Sequence, residues 1–209
     1  MTDTQATSAG AAASGRRALI VVDVQPTFCE GGELPVHGGN DVAARIAEHV
    51  ARRRSAYALI VTTQDWHVEP GEHFSMTPDY VDSWPPHGLA GSVNAELHPA
   101  LAALRADPDV VAVHKGQHAA AYSGFDGHTS DSRTLEQVLR EADITAVDVV
   151  GIAESHCVAA TVLDARRLGF PVRLLSDLTV PVTEELGETA RQRMHAAGAT
   201  AVTAAAAFG

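Results

Sequence analysis

Short apolar runs rich in β-branched side chains recur along this chain, with amphipathic or loop-like segments between them. The first, ALIVVDV over residues 18–24, is apolar at every position before Asp23, so it predicts a strand covered on both faces. A long loop containing Pro26, Gly31, Gly32, Gly38 and Gly39 follows, and Asn40 predicts the N-cap of a helix over VAARIAEHVARRR. Strands two to five are predicted at YALIVTTQ (57–64), VVAVHK (110–115), AVDVVGIA (146–153) and PVRLLSD (171–177), with a short last strand at TAVT (200–203). Three more helices are predicted: residues 134–142 with Ser132 or Thr134 near the start, a segment from about Cys157 to Leu168 ended by Gly169, and residues 184–198. The C-terminal AAAAFG is too short and uniform to predict anything.

Strands alternating with helices predict an α/β fold, a three-layer α/β/α sandwich whose mostly parallel, about six-stranded sheet has helices on both faces. Sites in such folds lie at the C-terminal ends of the strands. That rule gathers the residues with chemistry on one sheet edge: Asp23 ends the first strand, Asp65 and His67 follow the second, Lys115 ends the third, and Cys157 follows the fourth.

Composition narrows the function. A length of 209 residues suits one domain with a proper core, and 45% apolar with 20% charged residues is ordinary for a globular enzyme. A formal net charge of −11 argues against nucleic acid and anionic membranes as partners. No apolar run approaches the roughly 20 residues of a membrane-crossing helix. Two cysteines, Cys29 and Cys157, are too few for a disulfide scaffold and predict a reducing, cytoplasmic setting. Residues 1–15 are small, polar and rich in Gly, Ser and Ala, without the basic start and apolar core of a signal peptide, and predict a disordered tail.

The stretch TTQDWHVEPGEHFSMTPDYVDSWPPHGLAGS, residues 62–92, holds Asp65, His67, His73 and His87. One carboxylate and three imidazoles suit a borderline divalent metal of the Zn, Mn or Fe type, with positions left for water or substrate. Asp65 and His67 share a face of an extended backbone, and stiff Pro- and Gly-containing loops carry the other two. A cysteine at a helix start sees oriented N–H groups that favour its thiolate and can hold an oxyanion, although a lone cysteine is equally at home as a small buried apolar residue. Asp23 could move a proton to and from that thiol, or simply brace a loop. Lys115 could stabilise both anions, whereas a lone strand-end lysine is ordinarily solvated.

VVDVQPTFCEGGELPVHGG, the metal stretch, HKGQHAAAYSGFDG and VVGIAESHCVAATVLDARRLGF occur in an order that resembles the nicotinamidase/pyrazinamidase branch of the isochorismatase-like cysteine hydrolases, from Ala18 to about Ala204. The resemblance implies a single domain over residues 16–209 and a catalytic triad of Asp23, Lys115 and Cys157. It implies metal ligation by Asp65, His67, His73 and His87, and a small pocket lined by Phe28, Trp84, Tyr122 and His156. It also implies a cis peptide at Ile152–Ala153, with the Ala153 and Cys157 N–H groups as the oxyanion hole. Two departures stand out: Pro26-Thr27 replace a common Asn-Asp pair, and Glu154-Ser155 replace a common Thr-Asp pair before the nucleophile.

The implied reaction converts nicotinamide to nicotinate and ammonia, serving NAD salvage, and pyrazinamide to pyrazinoate, by a thioester on Cys157. Other readings fit the residues: a metal-free cysteine amidase of the same fold, a metallohydrolase in which Cys157 is only structural, and a non-catalytic binding module. The expected partner is a small molecule, bound by a monomer or homo-oligomer. Cys29 is read as structural.

Overall fold

The computed structural model describes residues 15–209; apart from Gly15, the tail expected over residues 1–15 lies outside the described residues. Six strands form one sheet: β1 (Arg17–Val22), β2 (Leu59–Asp65), β3 (Val110–Lys115), β4 (Ala146–Ile152), β5 (Val172–Val180) and β6 (Thr200–Val202). Their order is β3-β2-β1-β4-β5-β6 and every neighbouring pair is parallel. The helices are α1 (Gly39–Arg53), α2 (Ala102–Ala106), α3 (Leu135–Glu141), α4 (Ala159–Arg167), α5 (Glu184–Ala196) and α6 (Ala204–Phe208). Among the described residues no helix is long and apolar enough to cross a membrane.

The apolar run of β1 is explained by cover on both faces. Ala18, Ile20 and Val22 join a core cluster with α3, α4 and α5 through Leu135, Leu139, Val162, Ala165 and Met194. The intervening Leu19 and Val21 join a second cluster with α1 through Val42 and Ile46, with Leu101 of the turn before α2, and with Leu104 of α2. Side chains of period two thus feed two separate cores from one central strand. The chain runs outward from β1 to β2 and β3, then returns to β4 on the other side of β1. The C-terminal ends of β1 and β4 therefore flank the point where the strand order reverses, the usual crevice of open α/β sheets.

Several local expectations are corrected. Helix α1 is not capped by Asn40: its N-cap is Gly38, two residues earlier and in the left-handed region, and the Glu30 carboxylate accepts from the N–H groups of Gly38 and Asn40. A distant loop carboxylate thus satisfies the orphan donors, which local sequence does not reveal. Strand β1 ends at Val22 rather than Val24, and β5 continues to Val180, beyond the expected Asp177. Helix α3 begins as expected, with Thr134 and Gln137 forming a reciprocal capping box. The segment carrying Cys157 opens at Glu154 with a π-helical turn, Glu154–Val158, before α4 begins. The C-terminal alanines form α6, which docks Phe208 against Tyr57, with the Arg53 and Arg173 guanidinium groups 5.5 and 5.0 Å from its ring. Alanine favours helix, but without apolar periodicity only the docking of Phe208 makes so short a helix worthwhile.

Gly151 sits where β4 passes β1 most closely. Its φ is +126°, and a Cβ there would fall 2.0 Å from the Val22 carbonyl oxygen. Gly151→Ala is expected to destabilise the protein by about 3 kcal/mol or more, through both clash and backbone strain, as measured by denaturant unfolding.

Candidate active site

Asp23, the first residue beyond β1, has a left-handed backbone (φ +48°) that asparagine and aspartate tolerate better than most residues. Its N–H donates to the Thr63 carbonyl at 3.1 Å, and the Thr63 hydroxyl donates to its Oδ1 at 2.6 Å. Oδ2 faces the Lys115 ammonium at 2.9 Å; the approach is an ion pair outside hydrogen-bond alignment, and Oδ2 has no hydrogen-bond partner. It is thus the carboxylate oxygen free to take a proton.

Lys115 is not the solvated strand-end lysine that composition alone would suggest. It is 1% exposed, among the largest fully buried side chains of the fold. Its Nζ pairs with Asp23 and Asp65, donates to the Ala121 carbonyl at 3.0 Å and lies 3.7 Å from Cys157 Sγ. Cross-strand register makes this possible, because Lys115 pairs with Asp65 at the matching ends of β3 and β2.

The charges of this cluster follow from burial and proximity. Burial pushes the Lys115 ammonium down, but Asp23, Asp65 and Cys157 outweigh it and hold its pKa well above the usual range, so it stays charged. Burial also pushes Asp65 up, yet Lys115, His67 and His87 more than compensate, and its carboxyl is held well below the usual range. Asp23 ends above its usual value, because its burial and the Asp65 charge exceed the pull of Lys115. Burial, together with the two carboxylates, raises the Cys157 thiol well above its usual value despite Lys115. The thiolate expected from a position at a helix start is opposed here by burial and by two carboxylates, against the pull of one ammonium. A thiol with so high a pKa needs a base beside it, and a carboxylate of raised pKa is a better base than an ordinary one.

The backbone carrying the sulfur is unusual. The Ile152–Ala153 peptide bond is cis, as expected. The Ala153 carbonyl accepts from the N–H groups of His156 and Val158 at 3.0 and 3.2 Å, which forms the π-helical turn and sets Cys157 inside it rather than at the first position of a regular helix. The Thr161 hydroxyl donates to the Cys157 carbonyl at 2.8 Å and accepts from Gly124 N–H at 2.9 Å, tying the turn to the loop after β3.

Against this triad stand His67, His73 and His87, all buried, each with a ring nitrogen within 4.8 Å of the others. The Nδ1 of His67 meets the Gly116 carbonyl, and that of His87 meets the Pro85 carbonyl at 2.8 Å. A carbonyl can only accept, so both rings carry a proton on Nδ1 and turn Nε2 toward the cluster. His67 Nε2 and His73 Nδ1 are buried without a hydrogen-bond partner. Asp65 Oδ2 lies 3.6 and 3.7 Å from the Nε2 atoms of His67 and His87. Unpartnered inward lone pairs beside a carboxylate fit a borderline divalent cation. Gly116 permits the approach: its φ is +71°, and a Cβ would fall 2.5 Å from the His67 ring.

Two positioning groups escaped the sequence reading. The Gln25 side chain is fully buried and clasps Asp65 from both sides, donating to its carbonyl at 2.9 Å and accepting from its N–H at 2.9 Å. Thr27, one of the departures, accepts from Gly88 N–H at 3.1 Å and so anchors the loop next to His87. Gln25 lay inside a quoted motif; nothing local marked its partner, which is 40 residues away.

Between triad and histidines lies a cavity of about 240 Å³ lined by Phe28, Trp84, Tyr122, His156 and Ala153, with Cys157, Asp65, His73 and His87 also on its wall. Every expected pocket residue is there. The volume suits a single-ring ligand rather than a drug-sized one. A larger hollow, about 870 Å³, lies beside residues 116–121 and touches neither Cys157 nor the three clustered histidines.

Comparison with known proteins agrees with this fold. Residues 17–206 match the isochorismatase domain model. The chain is 44% identical over 183 residues to a nicotinamidase/pyrazinamidase of Mycobacterium tuberculosis, covering 87% of this chain and 95% of that one. It resembles the crystal structure of a Pyrococcus horikoshii pyrazinamidase in complex with zinc, with TM-score 0.77, 34% identity and coverage of 90% and 99%. It is also similar to an L. infantum protein solved in complex with nicotinate, with TM-score 0.75, 31% identity and coverage of 92% and 94%. With its parallel sheet, its strand-end site and a match over nearly all of its length, the chain belongs to the isochorismatase domain family.

Proposed function

We propose that this protein hydrolyses nicotinamide to nicotinate and ammonia, and pyrazinamide to pyrazinoate, through a thioester on Cys157. The observation that carries the reading is one small aromatic cavity lined both by Cys157 and by His73 and His87 of the histidine cluster. A pyridine or pyrazine carboxamide has a ring for the aromatic walls, a ring nitrogen for the histidine side and an amide for the sulfur.

Asp65, His67, His73 and His87 would hold a divalent cation of the Zn, Fe or Mn type, which supplies Lewis acidity toward the ring nitrogen. The remaining work falls to the chain. Asp23 Oδ2 takes the thiol proton, and Cys157 Sγ attacks the carboxamide carbon. The N–H groups of Ala153 and Cys157 receive the developing oxyanion. Asp23 returns its proton to the departing nitrogen, and ammonia leaves the thioester. A water gives a proton to Asp23 and attacks the thioester carbon; the C–S bond breaks, Asp23 returns that proton to the sulfur, and the acid formed loses its proton to solvent as the carboxylate departs. Lys115 stays charged and steadies Asp23 and the sulfur at every stage. We place the enzyme in the cytoplasm, a reading supported by two buried, unpaired cysteines.

Ammonia release from nicotinamide by the purified protein is the direct test, and its absence would remove the reading. Cys157→Ala is expected to abolish that release while leaving bound metal, measured by elemental analysis, unchanged. Asp23→Asn should lower kcat by about 10²- to 10⁴-fold, the usual worth of a positioned general base. His87→Ala should reduce metal stoichiometry and raise KM or lower the rate; full metal content would refute its assignment as a ligand.

A further inference from the structure

Four acidic side chains are buried among the described residues: Asp23, Asp65, Asp148 and Glu154. The first two belong to the reactive cluster, and Asp148 is held by Arg17 and Arg173 within the sheet. Glu154 stands apart. It is 2% exposed, opens the π-helical turn that carries Cys157, and has no part in the reaction as written. Both of its oxygens are engaged from outside the turn. The Thr179 hydroxyl of β5 donates to Oε2, and Arg191 of α5 donates from Nη1 to Oε1 at 2.7 Å. Next to it, Ser155 Oγ accepts from the Val182 N–H, between β5 and α5, at 3.2 Å. The first two residues of the turn are thus tied to the β5–α5 side of the fold.

Arg191 is held in place by its own helix. Its Nη2 faces Glu184 and Glu188 at the surface, which leaves Nη1 for the interior. Gly187, buried one turn earlier in α5, keeps the path open: a Cβ there would fall 2.8 Å from Pro181 and 3.2 Å from Arg191 Nη1. Glycine weakens a helix interior relative to alanine, so its presence here is explained by what must pass beside it. The exposed pairs with Glu184 and Glu188 contribute little. The pair with Glu154 differs, because a carboxylate already out of water is strongly unfavourable once its partner is removed.

We propose that Arg191 is a positioning residue for the nucleophile: by pairing with Glu154 it holds the turn that carries Cys157 against β5 and α5, and so keeps the sulfur in place beside Lys115 and Asp23. The inference rests on Cys157 being the nucleophile of the reaction proposed above. The sulfur lies 3.7 Å from Lys115 Nζ, and Cys157 follows Glu154 within the same turn. Without Arg191 the bare carboxylate draws the head of the turn toward water, and the sulfur is carried away from its base and its ammonium. The histidine cluster, carried by other segments, keeps its place.

Arg191→Met tests this at a temperature where circular dichroism shows the variant folded. With nicotinamide, kcat should fall about tenfold while KM and metal stoichiometry stay within about twofold of wild type. Iodoacetamide should modify Cys157 more slowly by a similar factor, read by peptide mass spectrometry. Cys29, in the core cluster on the other face of the sheet, should stay protected. Arg191→Lys, which keeps the charge, should recover most of both rates. Arg191→Met combined with Glu154→Gln, which removes both charges, should return them to within about threefold of wild type. Unchanged kcat and Cys157 labelling overturn the inference, as does a double variant no better than Arg191→Met. Faster labelling of both cysteines together also overturns it, since the arginine then serves only overall stability. Wild-type protein that releases no ammonia overturns the functional reading instead, while the labelling rates still report whether Arg191 places the sulfur.

Discussion

A buried ammonium ties the site together. Lys115 Nζ has been carried out of water into contact with Asp23, Asp65, the Ala121 carbonyl and the Cys157 sulfur. An unpaired charge there would cost several kcal/mol, so lysine and both carboxylates must be present and aligned together. Asp65 gives one oxygen to this ammonium and turns the other toward His67 and His87. The proton-handling group and the histidine cluster therefore share a residue. Neither half can move without disturbing the charge balance of the other.

The sheet makes that contact possible. The charged residues leave the ends of β1, β2 and β3, and the cysteine follows β4, so four separate chain segments converge where the strand order reverses. Close approach is bought with glycines at the tightest points, Gly151 against β1 and Gly116 against the His67 ring. Side-chain amides and hydroxyls then hold the loops: Gln25 grips the Asp65 backbone, Thr63 orients Asp23, and Thr27 fixes the loop beside His87. These are neutral hydrogen bonds, but they aim charged groups whose interactions are far stronger.

The motif departures have structural answers. Pro26 opens a 3-10 turn at a position that tolerates its missing N–H, and Thr27 is buried and bonded, so the altered pair keeps the loop closed over the histidines. Glu154, in place of a common threonine, is buried beneath the nucleophile's turn, where Arg191 donates to it at 2.7 Å and the Thr179 hydroxyl also donates. A buried carboxylate this close to Cys157 would be costly if left bare; its pairing with Arg191 offsets that charge.

The strands were legible because their apolar runs are both short and β-branched, and their order along one sheet edge already collected Asp23, Asp65, Lys115 and Cys157. The metal-type stretch was legible because its four candidate ligands, one aspartate and three histidines, lie within one loop-rich segment. What local sequence could not carry were relations across long separations: Glu30 capping α1, Gln25 clasping a residue 40 positions away, Phe208 making a short alanine helix worth forming. Nor could it reveal ionisation. A cysteine before a helix is expected to favour its thiolate from its own neighbourhood, whereas the folded cluster adds burial and two carboxylates that push the thiol up against the pull of one lysine. Identity and approximate position of the reactive groups follow from covalent order and periodicity; their protonation and mutual aim follow from the fields and contacts that exist only once the strands are side by side.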